Sequence, residues 1–442
     1  MRPRRLAAAA ALTVGAVLLA ACSSSGSSTP SGNASAGNAP VTLTMSGWSL
    51  STTPEFETLA NAFHKAHPNI TIQVKEYDAT NYDTLMTADL ASGKAPDIIT
   101  MKNVDHVATY ATGGVLMDVS DIKLPAGISG ASSYVVNGKS YAVPYRQDSW
   151  VLFYNKDLFA KAGVPDPDGS WTWTDYMNAA AKLEAGLKKA GSSATAAYEH
   201  IWQSTVQGLA NAQSPDAANG ANILSGKYSY MTSFYQDALQ LQNEGAQPSF
   251  NTATANKLTY QAEFGKQNAA MMIMGTWEIA SQLSQEQAGT ADTFNWGIAP
   301  APQPTAATAG TSNVPVTFGD PTGFAINAHI DSSKVAAAKE FLTFAASEDA
   351  AKDLAGIGIT PALIDPAVTD VFFATKGIPT DSLSKFAWST HKTYPENPTS
   401  VNTAAVQTLL NNMNTAIMSG SKSVSAGIAQ AEAGFSSAVA SS

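Results

Sequence analysis

Cysteine is nearly absent: Cys22 is the single one in 442 residues. No internal disulfide can form, so the fold must rest on burial alone. Histidine is scarce as well, with six residues and no pair at ligand spacing, so no zinc pattern is present. Neither a GxxxxGK[ST] phosphate loop nor a GxSxG elbow occurs. Positive charge is thin. Beyond the first 21 residues, 22 Lys and Arg face 35 Asp and Glu, a net charge of −13 with no basic run. Nucleic acid, which binds through clustered cations, is therefore a poor partner. Nothing in the chain calls for a metal or a cofactor.

What is present begins with "MRPRRLAAAAALTVGAVLLAA", residues 1–21. Three arginines precede an apolar run, Leu6–Ala21, that is shorter than the roughly 20 residues a membrane-crossing helix needs. It reads as a signal peptide. The sequence Leu19-Ala20-Ala21-Cys22 resembles a bacterial lipobox, whose cysteine becomes the lipidated first residue of the mature chain. Residues 22–40 are Ser, Gly, Asn, Ala and Pro without charge, too apolar-poor to fold. They read as a flexible tether of roughly 20–25 Å mean span. A membrane attachment through lipid on Cys22 is the expectation.

About 400 residues follow, more than the roughly 250–300 at which one core stops growing. Two lobes are expected. "VTLTM" (Val41–Met45) alternates as a strand. Thr52 or Thr53 is expected to cap a helix opened by Pro54, with Phe56, Leu59, Ala60 and Phe63 on one face. "NITIQV" alternates again, and "PDIIT" reads as a strand buried on both faces. This β-α-β-α-β order predicts an α/β lobe with a parallel sheet, whose ligands sit beyond the carboxyl ends of the strands. Two loops are expected there: Ser46–Thr53 with Trp48, and Met101–Asp105 with Lys102, Asn103 and Asp105. Farther on, a helix capped near Thr174 and a strand Ala269–Met274 followed by Gly275 and Trp277 are predicted.

Several stretches together resemble family 1 extracellular solute-binding proteins, the sugar-binding components of bacterial ABC importers. They are "GKAPDII" (Gly93–Ile99), "NGKSYAVPY" (Asn137–Tyr145), "LFYNKDLFAKAG" (Leu152–Gly163), "WTWTD" (Trp171–Asp175), "FGKQNAAMMIMGTW" (Phe264–Trp277) and "WGIAPAP" (Trp296–Pro302). The resemblance implies a maltose-binding-protein-like, two-lobed type II periplasmic-binding-protein fold, each lobe a mostly parallel sheet flanked by helices, with a ligand cleft at the hinge. The lobes are expected as 41–147 plus 300–345, and 148–299 plus 346–442. It further implies a carbohydrate ligand, membrane permease subunits as partners, an extracytoplasmic location, a monomer and no catalysis. Where the family usually has Gly-Gly, this chain reads Gly319-Asp320-Pro321, which marks Asp320 as a candidate specificity position.

The resemblance places Tyr145–Trp150 at the hinge. A sugar offers hydroxyls that donate and accept, so Arg146 and Asp148 are expected as polar clamps, or else as a mutual ion pair that stiffens the hinge. Trp277, Trp48 and Trp202 are candidates for stacking on a sugar face. Trp171 and Trp173 read as packing residues, and Trp388 or Tyr394 as residues that close on the ligand. The expected ligand set is Trp48, Asn103, Asp105, Arg146, Asp148, Trp202, Trp277 and Asp320. A tethered glycoside hydrolase, needing two carboxylates about 5–9.5 Å apart, and a rigid surface lectin are the competing classes. The anchor is directly testable. Cys22→Ser is expected to abolish labelling by radioactive fatty acid, and persistence of the label refutes the lipobox.

Overall fold

The structure, a computed structural model, describes residues 39–214 and 221–440. The leader, Cys22 and nearly all of the tether lie outside the described residues. No helix among the described residues is long and apolar enough to cross a membrane.

Two sheets carry the body. The first runs in the order Ile70–Tyr77, Val41–Trp48, Ile98–Met101, Pro321–Ile326, Val143–Gln147. Its first three strands are parallel, with Val41 opposite Ile70 and Trp48 opposite Tyr77. Pro321–Ile326 runs against both of its neighbours. Helix Glu55–Ala66 lays Phe56, Leu59 and Phe63 on this sheet, all fully buried. Pro54 precedes that helix, but no side chain caps it; the Thr52 hydroxyl instead donates to Ser49 O.

The second sheet has the order Trp296–Pro300, Trp150–Asn155, Ala269–Gly275, Thr195–Tyr198. Trp150–Asn155 is paired on both edges and buried at every residue, which is why its sequence is an unbroken apolar run. Both of its pairings are antiparallel, and only Thr195–Tyr198 joins in parallel. The sheets are thus mixed rather than mostly parallel. Strands that follow a crossing between the sheets enter from the hinge end and so run against those that began at the far end. Helix Trp173–Lys189 covers this sheet, opened by a capping box between Thr172 and Asp175, two residues before the expected cap. A third apolar cluster joins helices Ser204–Ala212, Thr232–Asn243 and Thr403–Met418 through Val206, Tyr235, Leu410 and Ile417.

The chain passes between the two cores three times, at Gln147–Trp150, Phe318–Pro321 and Ile359–Leu363. These segments are bonded to one another. Gln147 N donates to Thr360 O at 3.2 Å and Ala362 N to Tyr145 O at 3.0 Å, while Pro321 pairs with Gln147. Gly319 makes the contact possible: a Cβ there would sit 2.1 Å from Asp148 O. The packing boundary differs from the expected segments. Ala301 and Phe318 belong to the second core, and Phe324 onward to the first. Helix Glu348–Ala355 serves both, with Ala350 and Leu354 in the first core and Ala351 and Ala355 in the second. A helix that is apolar on two faces gives the sequence no single side to assign.

Candidate ligand-binding cleft

The crossing at Gln147–Trp150 carries the charges that stood out in the sequence, and the structure commits them to each other. Arg146 Nη1 lies 2.8 and 2.7 Å from the two carboxylate oxygens of Glu55, and Nε lies 2.7 Å from Asp148 Oδ2. Nη2 donates to Thr322 Oγ1 at 3.2 Å. The arginine is 7% exposed, and both carboxylates are buried. Asp148 Oδ1 accepts from Thr276 Oγ1 at 3.0 Å, and the carboxylate also accepts from the Trp277 backbone N–H. Arg146 and Asp148 therefore form the structural pair rather than free sugar clamps. Burial opposes ionisation of Arg146, but Asp148 and Glu55 outweigh it and hold the guanidinium charged. One cation shared by two carboxylates does not fully offset their desolvation, so burial raises the pKa of both acids.

Asp148 thereby fixes the first turn of helix Trp277–Ala288 and the indole that starts it. Trp277 lies edge-on to Trp150, ring centroids 5.5 Å apart, and Trp150 stacks on Phe318 at 4.7 Å. Gly275 is required beneath it, since a Cβ would meet the Trp277 ring at 2.0 Å. Trp202 stands 6.5 Å from Trp277 and 5.5 Å from Tyr260, tilted by 52° and 60°. It is 36% exposed. The Tyr260 hydroxyl hydrogen-bonds Trp277, and His200 meets Trp202 edge-on at 4.5 Å. Burial lowers His200 to a pKa of about 4, so its ring is neutral. Glu278 is fully buried with no hydrogen-bond partner for either oxygen among the described residues, and burial drives its pKa far up.

Carboxylates also gather around the Phe318–Pro321 crossing. Asp320 Oδ1 accepts from the backbone N–H of Glu396 at 2.8 Å and of Asn397 at 3.2 Å, and Oδ2 from Asn397 Nδ2 at 2.6 Å. Asp320 is thus the staple of the Glu396–Asn397 turn, not a side chain free for selectivity. Burial raises it to about 7, and the charge of Asp105 adds to the shift. Glu396 reaches about 8 through burial and repulsion by Asp320, while its side chain bonds Ser204, two residues after Trp202. Asp105 binds His106 Nδ1 at 2.9 Å, and Asn103 Nδ2 donates to Asp83 at 2.8 Å. Donor atoms of Asp83, Asp105 and His106 all lie within 4.8 Å of one another, the one such trio among the described residues. Since Asn103 and Asp105 already engage Asp83 and His106, the trio satisfies itself.

Other expected contacts lie elsewhere. Trp48 is not on an exit loop: it ends its strand, buried edge-on against Phe56 at 4.9 Å and Tyr82 at 5.1 Å. Lys102 lies over its ring at 5.6 Å and donates to Ala79 O. Trp388 is fully buried, stacked on Phe372 at 4.2 Å, with its indole N–H on Thr360 Oγ1. Trp173 packs edge-on against Tyr176 and Phe234, its indole N–H donating to Gln213 Oε1 at 2.9 Å. Glu55, Tyr260, His200 and Glu396 were not singled out in the sequence. Glu55 carried only the sign of a first-turn acid, and its arginine is 91 positions away.

The family model for bacterial extracellular solute-binding proteins matches residues 49–352. The chain belongs to this family. A sugar transporter from Rhizobium etli, solved in an open conformation, is 30% identical with a TM-score of 0.71, covering 89% of this chain and 99% of that one. An ABC substrate-binding protein from Listeria monocytogenes in complex with cycloalternan shares the fold at 19% identity, TM-score 0.70, covering 90% of this chain and 98% of its own. The sn-glycerol-3-phosphate-binding periplasmic protein of Escherichia coli K12 is 32% identical over 167 residues, 35% of this chain. The match spans 36% of that relative's length. The two solved relatives share the two-lobed type II α/β architecture with this chain.

Two expectations follow. Arg146→Met strands two buried carboxylates and is expected to cost about 3–5 kcal/mol of stability. Adding Glu55→Gln and Asp148→Asn should recover most of that loss in thermal melts. If Asp148→Asn alone leaves the melting temperature unchanged, the pair is not structural. Second, Asp320, Glu396 and Glu199, the last raised by burial to about 8, hold protons in the fold that the unfolded chain has released. Their contribution to stability is greatest below the ordinary carboxylate range and is lost as pH rises through about 7–8. The melting temperature of the ligand-free protein should fall between roughly pH 5 and 8 and level off above that, and Glu396→Gln should flatten part of that fall; a flat wild-type profile across this window contradicts it.

Proposed function

We propose that this chain captures a carbohydrate outside the cytoplasmic membrane and delivers it to the permease subunits of an ABC importer. The observation that carries this reading is the pair of partly exposed indoles, Trp202 and Trp277, packed around the buried Tyr260 beside the crossing segments. A pyranose has an apolar CH face that flat rings cover, and hydroxyls that carboxylates and amides serve at its rim. Trp202, Trp277, Asn103 and Asp105 are the contacts we assign from the expected set, joined by Tyr260 and Glu396. The family is one of binding proteins, and the solved relatives named above are described as a sugar transporter and a cycloalternan complex. In our reading the two lobes divide at the three crossings, the protein works as a monomer, and lipid on Cys22 keeps it at the membrane. It performs no chemistry; transport energy comes from other subunits.

Raised carboxyl pKa values are also what a glycosidase acid displays. Here Asp320 is held by three donors from the Glu396–Asn397 turn, which fits a staple better than a proton donor. Calorimetric titration against a panel of neutral mono- and oligosaccharides tests the assignment. Trp277→Ala should weaken the bound sugar by about 1.5–3 kcal/mol, the worth of covering an aromatic face, without reducing sugar ends appearing over time. Release of reducing ends by pure protein moves the assignment to a hydrolase. Small-angle scattering that is identical with and without ligand moves it to a rigid lectin.

A further inference from the structure

The buried acid that follows Trp277 has a role of its own; for the part played by the indole, the inference rests on the binding assignment above. We infer that Glu278 is a positioning residue for Trp277: as a neutral carboxylic acid it donates its proton to Gln282 Oε1, one helical turn on, and this bond holds the turn that presents the indole to the ligand.

Three acceptor atoms are left over on one face of one helix. Both carboxyl oxygens of Glu278, and Gln282 Oε1, lack a hydrogen-bond partner among the described residues. Glu278 is 0% and Gln282 1% exposed, so neither side chain reaches solvent. The two are four residues apart in helix Trp277–Ala288, the spacing that sets side chains next to each other. Both face helix Tyr260–Gly265, which packs alongside. Glu278 acts electrostatically on Tyr260, and Gln282 Oε1 stands 3.1 Å from where a Cβ on Gly265 would sit.

An ionised carboxylate beside an amide oxygen would repel it, and both would remain without a donor. One proton on Glu278 satisfies the pair. The amide is already turned for it. Gln282 Nε2 donates to Glu286 Oε1 at 2.8 Å, which commits the nitrogen to the next turn and leaves the oxygen for the turn behind. A charged Glu278 would instead draw that nitrogen to itself.

No cation competes for this place. The helix alongside brings Tyr260 and Glu263, and Lys266 at its end is paired with Asp292. Asp148 bonds the Trp277 backbone from the crossing, and Arg146 is held by Asp148 and Glu55. Strand Ala269–Gly275 and residues 358–363 carry no titratable side chain. Burial alone moves Glu278, and it moves it upward. The first turn is therefore held from two sides. Asp148 accepts from Thr276 Oγ1 and the Trp277 N–H, and Glu278 ties the turn to the one that follows. Ionisation of Glu278 would leave an unpaired charge in the interior and drive the turn, with its indole, toward water.

The test uses the purified full chain and four variants: Glu278→Gln, Glu278→Leu, Gln282→Leu and the double leucine variant. Glucose, maltose, cellobiose and chitobiose are the probes. Glu278→Gln keeps a neutral donor toward Gln282 and should bind the best of these sugars within about twofold of the wild type. Glu278→Leu keeps the bulk without the donor and should weaken it at least about fivefold, and Gln282→Leu, which leaves the acid in place, should weaken it as well. Glu278 keeps in the fold a proton that the unfolded chain releases, so the wild type loses stability as pH rises above the ordinary carboxylate range, whereas glutamine has no such proton to lose. The melting temperature of Glu278→Gln minus that of the wild type should thus grow between roughly pH 5 and 8. The double leucine variant should be more stable than the sum of the two single changes predicts, because each single change strands the other residue's polar atom. A melting difference that does not move with pH, or additive leucine variants, overturns the bond and leaves the sugar-binding assignment standing. Glu278→Leu binding as tightly as the wild type overturns the positioning role. Binding of none of the four sugars by the wild type overturns the sugar assignment and the positioning role together.

Discussion

A guanidinium held between two carboxylates in the interior is what the hinge depends on. Arg146 sits on one crossing segment, Glu55 in the first turn of a helix on the first sheet, and Asp148 at the entry to the second sheet. Asp148 in turn holds Thr276 and the Trp277 backbone, so the network runs from one core to the first ring of the aromatic face. Such a network is a weak source of net stability, because desolvation of three charges consumes most of the Coulomb gain. Its value is geometric. A charge that loses its partner in the interior is costly, so every displacement of the crossings that opens the network is strongly opposed. Motions that keep the network closed remain available.

The glycines complete this constraint by allowing approach rather than by bending. At Gly319 a side chain would strike the Asp148 carbonyl, and the first two crossings could not touch. At Gly275 it would strike the Trp277 ring, and the indole could not fold back over its own strand. One glycine thus sets the spacing of the hinge, and the other sets the height of the ring beside it. Backbone contact and ring placement are linked through Asp148, which touches both.

Much of the architecture was legible in the sequence because periodicity and burial act locally. Val41–Met45 alternates and forms a strand, and Phe56, Leu59 and Phe63 share a helical face and are buried together. What failed were features decided by distant residues. Trp48 lies three positions past the alternating run, but parallel pairing with Tyr77 extends the strand to include it, and Tyr82 buries its ring. Asp320 sits where the family pattern has glycine, and its role was fixed by a turn 76 positions later. The choice between clamp and ion pair for Arg146 was settled by Glu55, which shows no sequence sign of its partner. Trp277 and Trp202 are partly exposed, and for Trp277 that exposure was legible locally. Trp277 follows a strand end and a glycine, a local arrangement that leaves a ring uncovered, and Trp202 remains the most exposed indole near it.

Burial explains why one cleft holds acids of such different character. Asp148 and Glu55 share a cation and a dense set of donors. Asp320 has three donors but no cation, and it is raised to about 7; Glu396 has one hydroxyl and a like charge beside it, and it is raised to about 8. Glu278 has neither among the described residues, and burial drives it far above the ordinary carboxylate range. The order follows the number of compensating partners, as desolvation requires. Glu278 follows Trp277 directly, and Glu396 bonds Ser204, two residues after Trp202. A site whose polar groups are fully satisfied in the empty state gains little from a ligand. At the hinge two carboxylates share one cation, whereas Asp320 and Glu396 have hydrogen-bond donors and each other's charge, so the demand for compensation is greater at the Glu396–Asn397 turn.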